Sequence, residues 1–170
     1  MTRALTGEAG EASSVLSEPG TFLVEEADAR AKLPVRARDS HKGSYGHVLI
    51  IAGSPGKSGA AAMTGMGALR AGAGLCTVAT RRDTLGSVLS HAPELMGVEV
   101  GSDGPLGLSD LAPLLEAASG KQAVVIGPGI LPGEETGSLV ALLLERISAP
   151  IVLDAGALSA IGSDVALLAR

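Results

Sequence analysis

The chain has 170 residues, of which 46% are hydrophobic, with a net charge of −5 and only two aromatic side chains, Phe22 and Tyr45. This length and composition suit one domain with an aliphatic core. The negative charge and the shortage of rings for base stacking argue against nucleic acid as a partner, and no apolar run reaches the roughly 18 residues of a membrane helix.

The first 21 residues predict a flexible tail or linker, because they mix acidic residues with Gly and Ser and show no apolar period. We expect the folded domain to span residues 22–170. It begins with a short helix over 25–33, which Pro34 should stop.

From there apolar runs and amphipathic segments alternate. The pattern predicts strands at about 47–52, 75–79, 95–100, 122–126 and 150–154, and helices at about 58–72, 82–90, 108–118, 134–147 and 156–168. Such alternation is typical of an α/β protein with a parallel sheet and helices on both faces. The only cysteine, Cys76, falls in the second strand, where we expect a small buried core residue; a single thiol also favours the reducing cytoplasm.

Three turns follow the first, fourth and fifth predicted strands: Gly53 to Gly59, Gly127 to Gly133, and Asp154 to Gly156. Because ligands of parallel sheets bind at the carboxyl ends of the strands, we expect the three turns to lie together at one edge. The Asp154 side chain is expected to cap the helix that follows.

The first turn also invites comparison with a P-loop, since Gly56-Lys57-Ser58 matches the end of that motif. However, Ile51 stands where the motif needs its first glycine, and the apolar run places Ile51 inside the strand. A P-loop phosphotransferase therefore remains only a lesser alternative. His47 and His91 have no partner at metal-ligand spacing, so the sequence predicts no metal-ligand set.

Five segments in order resemble one family, the NAD(P)H-hydrate dehydratases, which are ribokinase-like enzymes. They are His41-Lys42-Gly43-Ser44-Tyr45-Gly46 with the strand and Ala52-Gly53-Ser54 after it, Ala68-Leu69-Arg70-Ala71-Gly72-Ala73-Gly74, Pro93-Glu94-Leu95-Met96, Ile126-Gly127-Pro128-Gly129, and Asp154-Ala155-Gly156-Ala157-Leu158. The resemblance covers roughly residues 22–170. It implies a three-layer ribokinase-like fold, and a lyase that uses ATP or ADP, with Mg²⁺, to return NAD(P)H hydrate to NAD(P)H.

The resemblance also implies which residues meet the substrate. The binding residues would be Gly59, Ala60, Gly127, Gly129 and Asp154, with Lys42, Tyr45 and Ser58 as a possible pocket rim. For Asp154 the resemblance implies an alternative to the helix cap, in which its carboxylate helps to position magnesium or substrate. Gly59 and Ala60 would leave space for a bulky substrate, although close packing of the helix on the sheet would equally explain small residues there.

No catalytic residue is assigned. The family's later Gly-x-Gly-Asp helix start, which carries the catalytic aspartate, would fall beyond Arg170, so the chain is expected to be the amino-terminal, truncated portion of the domain and of doubtful activity alone. A non-catalytic nucleotide- or dinucleotide-binding module is the alternative. A truncated sheet should leave an edge open, which predicts a homo-oligomer or another association through that edge.

Overall fold

The computed structural model describes residues 25–33, 36–101 and 103–168. The chain divides into two compact units, Met1–Arg38 and Asp39–Arg170. In the first unit, helix α1 spans Glu26–Lys32, close to its predicted bounds, and the Asp28 carboxylate accepts a hydrogen bond from the Glu25 N–H at its start. The predicted tail and the domain boundary at residue 21 lie outside the described residues.

The second unit alternates strands and helices, as the apolar pattern predicts. The strands are β1 (His47–Ile51), β2 (Leu75–Thr80), β3 (Met96–Glu99), β4 (Ala123–Ile126) and β5 (Ile151–Leu153). The helices are α2 (Ser58–Ala71), α3 (Arg82–His91), α4 (Leu111–Ala118), α5 (Glu134–Arg146) and α6 (Gly156–Ile161). Short 3-10 turns occupy Lys42–Tyr45, Leu108–Asp110 and Val165–Leu168.

All strand pairs are parallel, and the sheet order is β3-β2-β1-β4-β5. The central strand β1 pairs on one side with β2, where Val48 lies opposite Cys76, and on the other with β4, where Val48 lies opposite Ala123. The predicted parallel sheet is thus confirmed.

Each face of the sheet has its own core, because successive side chains of a strand point to opposite faces. Leu49 and Ile51 belong to a buried cluster with residues of α4, α5 and α6, whereas Ile50 belongs to a cluster with residues of α2 and α3. Cys76 lies in this second cluster at 1% exposure, as predicted, and burial raises the pKa of its thiol. The result is three layers with helices on both faces.

One predicted helix is wrong in its extent. The apolar spacing predicted a continuous helix over 156–168, but α6 ends at Ile161 and Gly162 follows with a φ of 59°. A glycine in this left-handed conformation ends a helix readily, because it has no Cβ to clash. Among the helices the structure describes, none is long and apolar enough to cross a membrane.

Candidate functional site

The turns after β1 and β4 are joined at the carboxyl edge of the sheet. The Gly53 N–H donates to the Pro128 carbonyl at 2.8 Å, and the Ser54 hydroxyl donates to the Gly129 carbonyl at 2.7 Å. In this strand order, the connections leave β1 and β4 in opposite directions, and ligands of open α/β sheets bind in the crevice formed there. The two glycine-containing turns therefore form the walls of the candidate site.

The third turn packs against the second. Gly127 has a φ of 129°, and a Cβ at this position would overlap the carbonyl oxygen of Asp154. A Cβ on Gly156 would in turn overlap the carbonyl of Ile130. Backbone meets backbone at both places, so the three predicted turns lie together at one edge.

The amino end of α2 completes the crevice. Gly129 packs onto it so closely that a Cβ would lie 2.9 Å from the Lys57 carbonyl oxygen and 3.0 Å from Ala60 Cβ. Lys57 occupies the N-cap and no side chain caps the helix. The Ala60 N–H donates to the Lys57 carbonyl at 3.2 Å, whereas the N–H groups of Ser58 and Gly59 have no intrahelical partner. The partial positive charge at this helix start favours an anionic group.

The glycines of α2 lie in two different kinds of surroundings. At Gly65 a Cβ would lie 2.6 Å from Leu95 Cδ1, so this glycine is required by packing, whereas Gly59 and Gly67 have nothing within 4 Å of a Cβ. Gly59 borders a shallow groove of about 380 Å³ that runs along α2 past Met63. Close packing thus explains Gly65, and Gly59 has open space beside it.

The predicted cap by Asp154 is wrong. Ala155, with a φ of 44°, occupies the N-cap of α6, and no side chain caps that helix. The Asp154 side chain is exposed and makes no hydrogen bond or ion pair with any residue the structure describes. Its carboxylate is therefore available at the edge where Gly127 lies, as the functional alternative requires.

Two of the predicted rim residues lie elsewhere. Lys42 and Tyr45 form the 3-10 turn that precedes β1, where the Gly74 N–H donates to the Tyr45 carbonyl. This turn lies at the amino ends of the strands, and the five residues of β1 separate it from the turn after Ile51. Within one copy of the chain, Lys42 and Tyr45 therefore do not border the crevice. Ser58, the first residue of α2, does lie at the carboxyl edge, where its hydroxyl is 2.8 Å from that of Ser87.

Sequence reasoning missed a buried ion pair at the same edge. Arg81, directly after β2, binds the Asp110 carboxylate through two contacts of 2.8 Å, and both side chains are less than 10% exposed. The pair joins residues 29 positions apart. The only sequence signal for this pair is the two consecutive arginines after an apolar strand. That signal does not identify Asp110 as the partner.

These features define a class: a parallel α/β protein whose glycine-containing turns and helix start form an anion-favouring crevice at the carboxyl edge. Residues 48–168 match the family model of NAD(P)H-hydrate dehydratase. The chain belongs to this family, which confirms the family predicted from the five sequence segments.

Curated relatives agree. The chain is 46% identical over 139 residues to a bifunctional NAD(P)H-hydrate repair enzyme of Coxiella burnetii, covering 82% of this chain and 27% of the relative. It is 37% identical to the ADP-dependent (S)-NAD(P)H-hydrate dehydratase of Bacillus subtilis, covering 81% and 47%. The chain thus spans less than half the length of these relatives.

Solved structures show the same fold. The B. subtilis ADP/ATP-dependent NAD(P)H-hydrate dehydratase co-crystallized with ATP/Mg²⁺ matches with a TM-score of 0.62 and 32% identity, covering 79% of this chain and 46% of that chain. A ribokinase-like superfamily protein from Enterococcus faecalis matches with a TM-score of 0.67 at 23% identity. The predicted ribokinase-like, three-layer fold is confirmed.

Proposed function

We propose that this chain supplies the substrate-binding part of a hydro-lyase that uses ATP or ADP to dehydrate NAD(P)H hydrate to NAD(P)H. The observation that carries the proposal is the crevice where Gly53 and Ser54 bond to Pro128 and Gly129. Relatives named as ADP-dependent (S)-NAD(P)H-hydrate dehydratases supply the substrate and the reaction class.

Within the crevice, Ala60, Gly127 and Gly129 would meet the substrate mainly through backbone atoms and small surfaces. The missing Cβ atoms of Gly127 and Gly129 let the turns and α2 pack together at the ends of the strands, so these two residues would offer backbone atoms only. Gly59 and Ser58 flank this group at the start of α2, and the free N–H groups there would favour a phosphate of the dinucleotide. Asp154 would contribute a hydrogen-bond acceptor.

The described residues do not form a complete site for a nucleotide with Mg²⁺. They contain no group of three or more His, Cys, Asp or Glu side chains that could hold a metal ion, and Asp154 alone would supply one oxygen ligand. The Gly-x-Gly-Asp segment that the resemblance leads us to expect as the source of the catalytic aspartate is not among these 170 residues. The other groups needed for phosphoryl transfer would have to come from elsewhere.

A non-catalytic nucleotide- or dinucleotide-binding module is the second candidate, since the crevice alone accounts for binding without turnover. The P-loop alternative loses support, because Ile51 is fully buried within β1 and cannot belong to a phosphate-binding loop. Both remaining candidates require that the chain binds its substrate, and they differ in turnover.

The test measures binding and turnover separately. We expect the 170-residue chain to bind NADPH hydrate in equilibrium dialysis, and Ala60→Leu to weaken binding by about tenfold or more, since a bulky side chain would fill the crevice beside Gly129. Ala71→Leu, on the exposed end of the same helix, is the matched control and should bind as the unchanged chain does. Absence of binding would contradict the proposal.

Turnover separates the two candidates. With ATP or ADP, the chain alone is expected to recover no NADPH absorbance from the hydrate, because its described residues hold no cluster of acidic or histidine side chains for the Mg²⁺ of phosphoryl transfer. Recovery after addition of a separately expressed carboxyl-terminal half of a relative would support the enzyme. Binding that never leads to turnover in that mixture would support the module.

We further propose that the chain associates through the edge of β5, where Val152 is 58% exposed beside a groove of about 510 Å³ whose lining includes Leu144, Ile151 and Leu158. An open strand edge next to apolar surface favours pairing with another strand. The cytoplasmic location expected from the single cysteine stays a prediction.

A further inference from the structure

The guanidinium of Arg81 is the centre of a buried network at the carboxyl edge. Besides its two contacts with the Asp110 carboxylate, it donates to the carbonyls of Val100 and Gly104, at 3.0 Å each, and to that of Pro105. These five bonds use all five donors of the side chain. A buried arginine so completely satisfied fixes the position of every group it binds.

The chain around the guanidinium has no spare room. A Cβ on Gly101, which has a φ of 59°, would overlap Arg81 Nη1, and the Gly107 N–H donates to Asp110 Oδ2 at 2.9 Å. The segment of residues 103–107, which we call the edge segment, is therefore folded around Arg81 and closed by Asp110.

The edge segment in turn holds the start of α5. The Leu106 carbonyl accepts a buried hydrogen bond from the Thr136 hydroxyl at 2.7 Å. Leu106 also shares a buried cluster with Ile130. Helix α5 directly follows the turn Gly127–Gly133. The contacts of Leu106 with Thr136 and Ile130 therefore also hold this wall of the crevice in place.

We propose that Arg81 and Asp110 are positioning residues that hold the Gly127–Gly133 wall through the edge segment and Thr136. The proposal rests on the proposed function only in taking this wall as part of the substrate site. A buried ion pair is often no more stabilising than a well-packed apolar pair. An apolar pair, however, cannot replace the hydrogen bonds from Arg81 that fix the carbonyl groups of Val100, Gly104 and Pro105.

The next residue provides the matched control. Arg82 also pairs with a carboxylate, that of Glu99 at 3.0 Å, but its side chain is 70% exposed and it bonds none of the edge segment. The double variant Arg81→Met/Asp110→Leu removes the buried pair and keeps apolar volume, while Arg82→Met/Glu99→Leu removes the exposed pair one residue away.

The experiment compares amide hydrogen exchange of these variants, which requires no ligand, with their affinity for NADPH hydrate. The informative amides are Gly107 of the edge segment, whose N–H bonds to Asp110, and Ile130 of the wall, whose N–H bonds to the Gly127 carbonyl. In Arg81→Met/Asp110→Leu we expect both to exchange at least about tenfold faster, with β1 still protected, together with weaker binding. The control should change neither. Faster exchange in the edge segment with an unchanged wall would overturn the proposal.

If loss of protection in β1 shows that the buried double variant does not fold, Thr136→Val replaces it. This change removes only the bond between α5 and Leu106, so the wall should exchange faster while the edge segment around Arg81 stays protected. An unchanged wall in Thr136→Val would likewise overturn the proposal. Failure of the unchanged chain to bind NADPH hydrate would contradict the proposed function, yet leave the exchange result to decide the positioning role.

Discussion

Gly127 lies so close to the carbonyl oxygen of Asp154 that no side chain fits between them. The turn after β4 and the turn after β5 are thereby packed backbone to backbone. Since Gly127 also donates its N–H to the Ile51 carbonyl at 3.0 Å, this one residue connects the ends of three adjacent strands.

Gly127→Ala should therefore destabilise the fold. The new Cβ meets backbone, which cannot rotate away, and alanine is strained at a φ of 129°. The two effects together should lower the free energy of unfolding by roughly 2–5 kcal/mol, measured by urea denaturation.

The control is a glycine with open space around it. Gly67 lies in the interior of α2 and a Cβ there meets nothing within 4 Å, so Gly67→Ala should raise the free energy of unfolding by up to about 1 kcal/mol. Equal effects of the two substitutions would show that the contact with Asp154 does not constrain the chain.

Buried hydroxyls offer a second contrast. Thr80 Oγ1 is buried and has no hydrogen-bond partner among the described residues, whereas the buried Thr136 hydroxyl donates to Leu106. Thr80→Val removes an unsatisfied polar group and should stabilise the fold by about 1 kcal/mol, while Thr136→Val should destabilise it by about 1–2 kcal/mol. Thermal melts of the two variants test this, and destabilisation by Thr80→Val would contradict it.

Stability should depend on pH through His47. Burial, and secondly the positive charge of Lys121, lowers the pKa of His47 below 6.5, while its Nε2 lies 2.7 Å from the Thr77 hydroxyl. The unfolded chain then binds this proton at a higher pH than the folded chain does. The contribution of His47 to the free energy of unfolding is therefore fully present above pH 6.5. It is lost as the pH falls from there towards the lowered pKa of the folded chain.

The measurement is the melting temperature of the chain and of His47→Gln between pH 8 and pH 5. Glutamine does not titrate, so the variant should lose less stability on acidification than the unchanged chain. If the melting temperature fell equally with pH in the unchanged chain and in His47→Gln, groups other than His47 would be responsible.

The proposed association can be tested at β5. A charge on an edge strand opposes pairing, so Val152→Lys should shift the chain towards monomer in size-exclusion chromatography with light scattering. Met63→Lys, at a methionine that is 77% exposed on α2, is the control and should leave the distribution unchanged. A monodisperse 16.8 kDa monomer of the unchanged chain would refute association.

Local patterns predicted the strands and most helices, because parallel strands such as β1 and β4 are short apolar runs that end in glycine turns. They failed where a backbone angle at one residue sets the bounds of a helix. Ala155, and not Asp154, occupies the N-cap of α6, and Gly162 ends that helix. The partnership of Arg81 with Asp110 depends on how β2 and α4 pack, and nothing local in the sequence encodes it.

The central place of β1 also bears on how the chain reaches its fold. Its first neighbour pairs from Leu75 onward, but its second neighbour pairs only from Ala123 onward. During synthesis β1, β2 and β3 can therefore assemble with α2 and α3 while Leu49 and Ile51 on the other face still await α4 and α5. Such a partly synthesised chain exposes the apolar face of the sheet to chaperones or to other nascent chains until the later helices cover it.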